Sequence, residues 1–340
     1  MSLGALLAIF VAAAAVTWVA GIYLSRSSDV LDARFGLGEA VGGLLLLGLA
    51  GSLPELAITA SAALSGELDV ATGNLLGGIA MQTLVIVLLD ATSRRTQPLS
   101  SLTVDASPML EASLVVVLVG FAVMGGLLPE STAIGPMSPM SLAIVAFFVL
   151  GVFGINRARP RPRWVVQGGA PPEIADAPNR LQAASTRSVL FVFGLASLAT
   201  LVAGVALERT GNAIAGDLGM NGVVFGATIL AAVTALPEIS SGFQAVRLGE
   251  VGLAMSDVYG GNSVQLTFFL VADVLAGHPV LSQTSPEFLW LGALGAVVTG
   301  VAIYGLLVRP TRKVAGLGPD SLAILLVYVG GVALLTAVPG

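Results

Sequence analysis

Two stretches, Gly51-Ser52-Leu53-Pro54-Glu55 and Thr234-Ala235-Leu236-Pro237-Glu238, decide how this chain reads. Each lies inside a long apolar run, residues 37–65 and 219–247. An unbroken helix of ~29 residues at ~1.5 Å per residue would exceed ~40 Å, more than a ~30 Å hydrocarbon core requires. The proline in each run removes a backbone donor and clashes with the preceding turn. Each run is therefore predicted to kink or break at Pro54 or Pro237. The carbonyls of residues 50–53 and 233–236 would then need partners inside the membrane, which a cation, water or a hydroxyl could supply.

Outward from these stretches the chain is apolar. Of its 340 residues 56% are hydrophobic and only 10% are charged, against roughly 25% charged in a soluble domain. Ten apolar segments are expected to span a membrane: 2–24, 37–65, 69–90, 108–128, 138–156, 188–207, 219–247, 250–276, 286–308 and 319–338. The first has no basic region before it and reads as a retained helix rather than a signal peptide. With no Cys and one His, His278, disulfides, thiolate centres and multi-histidine metal sites are excluded.

Basic residues set the orientation. With ten spans, one side receives Arg26, Arg34, Arg94, Arg95, Arg157, Arg159, Arg161, Arg163, Arg180, Arg187, Arg247, Arg309, Arg312 and Lys313, and the other only Arg209. The positive-inside rule then puts both termini outside and the 157–187 loop in the cytoplasm of a multi-pass cell-membrane protein. That loop is rich in Pro and Arg and reads as a linker between two five-helix halves, 1–156 and 188–340.

Sliding the chain by 183 residues aligns Gly36–Asp90 with Gly219–Asp273 without a gap. The matches fall on unusual residues: Leu53-Pro54-Glu55 with Leu236-Pro237-Glu238, Gly66-Glu67 with Gly249-Glu250, Gly77-Gly78 with Gly260-Gly261, Gln82 with Gln265, and Asp90 with Asp273. Five helices is an odd number, so the halves insert with opposite topology. The expected fold class is an all-α membrane protein of ten helices in two inverted repeats, its second and seventh helices broken at Pro54 and Pro237. Inverted repeats are an architecture of secondary transporters, with the site near the midplane.

Glu55 and Glu238 are costly inside a bilayer and mark function. Facing each other, they would offer a hard divalent cation the oxygen ligands it prefers; without the cation, the like charges would draw in a proton. Ser52 precedes Glu55 by three residues and Thr234 precedes Glu238 by four, on the same helical face. In the following spans Asn74, Gly78 and Gln82 lie four apart, and Asp257, Gly261 and Gln265 repeat the pattern. Gln82 and Gln265 are read as amide ligands or hydrogen-bond partners of the Glu pair. Asn74 and Asp257 are read as further ligands or as access-path residues. Glu67, Asp69 and Glu250 fall in turns, Asp90 and Asp273 at span ends near the interface, Glu111 and Glu208 near span ends, and His278 in a loop.

The paired Ser52-Leu53-Pro54-Glu55 and Leu236-Pro237-Glu238 segments, each followed by a Gly-Gly helix, resemble the two α-repeats of the calcium/cation antiporter superfamily. That superfamily includes sodium/calcium exchangers and proton-coupled calcium exchangers. The resemblance implies Glu55 and Glu238 as principal calcium ligands, and Ser52 and Thr234 as hydroxyl ligands, joined by backbone oxygens just before each proline. It also implies first and sixth helices that slide across the core to alternate access. The chain departs from the sodium/calcium exchanger pattern: Gly51-Ser52 and Thr234-Ala235 stand where Thr-Ser pairs are usual. Gln82 and Gln265 stand for Asn and Asp, and Gly78 and Gly261 for Ser. Fewer hydroxyls weaken the case for several sodium sites and leave room for proton coupling.

The expected function is thus antiport of Ca2+ for Na+ or H+ by alternating access, with no cofactor, and with inorganic cations and the lipid bilayer as partners. Alternatives are a monovalent cation/proton antiporter and, in another class, an intramembrane enzyme using the Glu55/Glu238 pair. No nucleotide loop, His-based metal motif or Asp-rich diphosphate motif supports the latter class, and nucleic acid is not expected as a partner.

Overall fold

Both prolines open helices. In the computed structural model, which describes residues 1–35, 51–93, 95–103, 106–158, 180–220, 222–335 and 337–338, Pro54 and Pro237 occupy the first turns of α2 (Leu53–Ser65) and α8 (Leu236–Leu248). That is where a missing N–H costs least and a fixed φ suits the helix. Both helices end on a glycine in the left-handed region, Gly66 at φ 79° and Gly249 at φ 91°. The N–H of Glu67 and Glu250 then reaches back to Ala62 O and Ala245 O, each at 2.9 Å. The Gly-Glu match between the halves is therefore a shared helix stop.

The described chain is helical, with only two isolated bridges, Ile134–Met137 and Val314–Leu317, outside helices. The other long elements are α1 (Leu3–Phe35), α3 (Leu68–Thr92), α4 (Ser107–Gly126), α5 (Pro139–Ala158), α6 (Thr186–Asp217), α7 (Val223–Thr234), α9 (Val251–Ala276), α10 (Pro286–Val308) and α11 (Pro319–Leu335). Six of these helices are long and apolar enough to cross a membrane, and α7 with α8 makes a seventh span bent by 45° at the proline. α2 and α11 are shorter apolar helices. The protein is a multi-pass helical membrane protein. Residues 36–50, which begin the second apolar run, and 159–179, most of the expected linker, lie outside the described residues, so the break at Pro54 is seen from its C-terminal side only.

Two ends differ from the sequence expectation. The segment 25–35 and the segment 208–217, read as lying beyond spans, continue α1 and α6. These two helices pack against each other along their length, which carries the polar turns forward: Ser27 is buried and its hydroxyl returns to Tyr23 O at 2.6 Å. Arg34 closes the end of α1 onto the start of α6 through Gln182 O, Ala184 O and Thr186 Oγ1. The α1/α6 pair lies over the broken helices, α6 on α2 and α1 on α8.

The largest core is built by both halves: α3 and α4 interleave with α9 and α10. α3 and α9 are buried on nearly every face, as expected of helices apolar all round. Asp90 and Asp273, near the ends of α3 and α9, are fully buried within the protein (0% exposed). Each accepts a backbone N–H from its own half and one from the other. Asp90 takes Leu99 N (3.1 Å) and Gly318 N (2.6 Å); Asp273 takes Val280 N (2.7 Å) and Ser138 N (2.8 Å). Lys313 adds an ion pair to Asp90 at 3.0 Å. The two aspartates are cross-half clamps that tie the turns before α5 and α11 to the ends of α9 and α3. Replacing Asp273 by Ala strands two buried donors, at about 1–3 kcal/mol each. We expect Asp273→Ala to unfold well below the parent in a detergent melt and Asp273→Asn to lie between them; an unshifted midpoint for the Ala variant would refute the clamp.

Candidate cation site

Ser52 and Ala235 are the hinge residues before the two prolines. Their carbonyls, expected to be free, instead accept from Leu56 N and Ile239 N at 3.0 Å each, because the helix restarts at the proline and the residue before it supplies the first helical acceptor. Residue 50 lies outside the described residues. The restart has a second consequence. It puts Glu55 and Glu238 in the first turns of α2 and α8, where unpaired N–H groups favour negative charge.

Both carboxylates are buried, Glu55 at 0% and Glu238 at 3% exposure, and each lies in the other's electrostatic field. Ser52, Thr234, Gln82, Gln265 and Asn74 are buried with them. Glu55 has the richer set of partners. Gln82 Nε2 donates to its Oε1 at 3.3 Å, and the Thr234 hydroxyl, from the opposite half, is among its electrostatic neighbours. That hydroxyl donates to Ala231 O at 3.1 Å. The residue equivalent to Thr234 beside Glu238 is Gly51, whose bare α-carbon offers no hydroxyl; a β-carbon built there would lie 3.5 Å from Glu238 Oε1.

The two glutamines break the symmetry that their positions suggest. The two amides are joined by one hydrogen bond instead of a reciprocal pair. Here Gln82 Nε2 donates to Gln265 Oε1 at 3.0 Å, and the Gln265 amide turns to Asn74 O (3.1 Å) and Leu75 O (2.7 Å). Gln82 Oε1 is left without a donor. Glu55 Oε2, Glu238 Oε2 and the side-chain amides of Asn74 and Asn262 are likewise buried and unpartnered. Around the α-carbon of Gly261, Ser52 Oγ, Gln82 Oε1 and Glu238 Oε1 converge, 3.8, 4.0 and 4.0 Å from where a β-carbon would sit. Gly78 and Gly261 thus serve different ends. A β-carbon on Gly78 would meet Gln265 Nε2 at 2.6 Å, so that glycine holds space for the Gln265 amide. Gly261 leaves room among oxygens.

Asp257 lies in the electrostatic field of Glu238. It is half-buried, accepts from the Ser241 hydroxyl at 2.5 Å, and lines, with Gly21, Ser25, Pro237 and Glu238, a narrow crevice leading to Glu238. Among the described residues no three His, Cys, Asp or Glu side chains gather as a metal cage. The site is two carboxylates among neutral oxygens, a donor set suited to a hard cation. Sequence reasoning passed over Asn262 as a mere neighbour and set Glu208 at a span end. Glu208 is buried at 2% exposure and bonded to Ser61. A serine at helical spacing along α2 was its only sequence signal.

The comparisons bear on this arrangement. The sequence model of the family described as Sodium/calcium exchanger protein matches residues 5–157 and 188–337, and the chain belongs to that family, which is one of transporters. CaxA of Alkalimonas amylolytica, assigned as an antiporter, is 26% identical over 245 residues, covering 72% of each chain. The inner membrane protein YrbG of Escherichia coli is 24% identical over 245 residues, covering 72% of this chain and 71% of its own. The fold is similar to that of an H+/Ca2+ exchanger, CAX, with a TM-score of 0.71 and 16% identity over 98% of this chain and 85% of that one. It is also similar to the sodium-calcium exchanger NCX_Mj, with a TM-score of 0.60 and 17% identity over 98% and 99%.

The two glycines should respond differently to one methyl group. Gly261→Ala meets no atom closer than 3.8 Å and removes ~1 kcal/mol of helix cost, so thermal stability should hold or rise. Gly78→Ala displaces the Gln265 amide and strands buried polar groups at about 1–3 kcal/mol; its melting midpoint should fall, and equal midpoints for the two variants would overturn the assignment.

Proposed function

We propose that the protein is a secondary antiporter that exchanges Ca2+ for Na+ or H+ by alternating access, with Glu55 and Glu238 as the shared ligands. The observation that carries the reading is the pair of buried Pro-Glu carboxylates, each with an unpartnered oxygen, in the first turns of two sequence-equivalent helices. Membership in the exchanger family supports it.

On this reading the ten apolar segments are ten spans in two inverted repeats of residues 1–156 and 188–340, joined by a cytoplasmic linker at 157–187, with both termini outside. Two features support the inversion. α3 and α9 cross with Gly78 beside Gln265 and Gly261 beside Gln82, an antiparallel register for helices of matching sequence. The Asp90 and Asp273 clamps are exchanged between the halves in the same sense.

Ca2+ is held by Glu55 and Glu238 with Ser52, Thr234 and the amide oxygen of Gln82. Gln265 orients Gln82 and Asn74 completes the polar wall, while Asp257 attracts cations along the crevice. The counter-ion competes for the same two carboxylates. An empty site would leave two like charges in a low dielectric, which disfavours crossing unloaded and enforces exchange over leak. Hydroxyl ligands are absent at Gly51, Ala235, Gly78 and Gly261, which limits the sites for several Na+ ions and favours H+ as the counter-ion.

The test uses purified chain in vesicles with 45Ca2+ and imposed Na+ or H+ gradients. Exchange driven by one gradient is expected, with Glu55→Gln and Glu238→Gln each lowering the rate more than ~100-fold, the scale of losing one charged ligand, while both remain folded. Ca2+ exchange that persists in either variant would remove the assigned ligands. Exchange of monovalent cations for H+ without Ca2+ transport would replace the cargo.

A further inference from the structure

The Asp90 and Asp273 clamps are built from matching turns. Leu99, after Pro98, and Val280, after Pro279, each give a backbone N–H to the aspartate that precedes them. Gly318 and Ser138 give the second, from turns closed alike by the Val314–Leu317 and Ile134–Met137 bridges. The positive charge is not matched. Asp90 has Lys313, whose Nζ lies 3.0 Å from Oδ1 and also donates to Ser93 Oγ at 2.9 Å. At the place of Lys313 the other turn carries Ala133. Asp273 instead has a basic neighbour in its own turn, His278, which stands before Pro279. At that place the first half carries Gln97, before Pro98.

His278 is tied to Asp273 by the backbone on both sides of it. Gly277 N donates to Asp273 O at 3.0 Å, and Val280 N donates to Asp273 Oδ1 at 2.7 Å. The ring is half-exposed, and its Nδ1 is buried with no partner. The elements around this turn bring mainly acids. Val280 packs with Ala63 at the end of α2 and Leu68 at the start of α3, a corner that carries Glu67 and Asp69, both exposed. Gln283, later in the same loop, donates to Glu130 of the turn before α5 at 2.7 Å, and Glu130 is exposed. Glu287 opens α10 and is half-exposed. Arg209 of α6 lies with Glu67 in the field of Glu208. Among these acids beside the turn Asp273 alone is fully buried, where charge is screened least.

We propose that His278 is a proton-binding site apart from the central carboxylates, and that a proton on its ring gives the Asp273 clamp the positive charge that Lys313 gives the Asp90 clamp. The proposal stands apart from the antiporter reading. A histidine changes charge between pH 5 and 8 and a lysine does not. The proton adds an attraction to the buried carboxylate. The Asp273 clamp is therefore stronger at the acid end of that window and weaker toward pH 8, while the Asp90 clamp keeps one strength throughout. On the orientation that the basic residues give, Lys313 faces the cytoplasm and His278 faces outside, so acid outside firms the frame at the end it reaches.

Melting the full chain in detergent at pH 6 and pH 8 tests this. His278→Gln installs the residue that the equivalent turn already carries at Gln97. It should lower the midpoint by about 2 °C at pH 6, the scale of one partly exposed ion pair, and leave it unchanged at pH 8. Lys313→Gln should lower the midpoint equally at both. An effect of His278→Gln that is equal at both pH values, or larger at pH 8, would overturn the site. Hydrogen exchange gives a local readout. Corrected for intrinsic rates, the amides of Ser138 and Val280 should be about fivefold better protected at pH 6 than at pH 8 in the parent, and equally protected at both in His278→Gln. A response that survives the substitution would refute the proposal. In an Asp273→Asn background His278→Gln should do nothing; an undiminished effect there would show that the ring acts on another group, and would sink the assignment to the clamp.

Discussion

Two carboxylates buried near each other in a membrane protein are the constraint on which the rest of the structure depends. Isolated, each would cost several kcal/mol, and their repulsion adds to that. The surroundings answer with helix N-termini, amides and hydroxyls rather than with basic residues. On the antiporter reading, the pair keeps its demand for a cation, and the oxygens around it would hold it. Had an arginine been placed beside Glu55, the site would be a stable ion pair with no capacity to exchange.

That demand explains the proline breaks. A continuous helix would bury Glu55 or Glu238 in mid-helix, where every N–H is spent on the residue four earlier. Restarting the helix at Pro54 and Pro237 places the glutamates in first turns with free donors nearby. The same restart needs a firm frame, and the cross-half clamps at Asp90 and Asp273 supply one at the far ends of α3 and α9. The α1/α6 pair, by contrast, meets the broken helices through glycines at Gly21 and Gly204, contacts with little to interlock. On the antiporter reading, a fixed core and a loosely keyed pair of helices divide the work of binding from that of access.

The site was legible to different depths in different residues. Pro54-Glu55 and Pro237-Glu238 stand out because an acid after a proline in an apolar run has few other reasons to exist. Gln82 was legible as a partner because it lies two helical turns from Asn74 on one face and repeats at Gln265. The roles of the two glutamines were not, since which amide donates depends on how two helices face each other. Asp90 and Asp273 end spans, and each is buried by a turn arriving from the other half. Glu208 was set near a span end, and the packing of α6 against α2, with its bond to Ser61, buries it.

The sequence by itself determined that the chain is a helical membrane protein, that it is duplicated, and that two acids lie at equivalent breaks. These follow from composition, periodicity and covalent geometry, all properties of neighbours in the chain. Only the tertiary structure decided which oxygens remain free and that Asp257 lines a crevice together with Glu238. Those depend on contacts between residues far apart in sequence, where a hydrogen spent on one acceptor is withheld from another and a single methyl group decides how close two helices come.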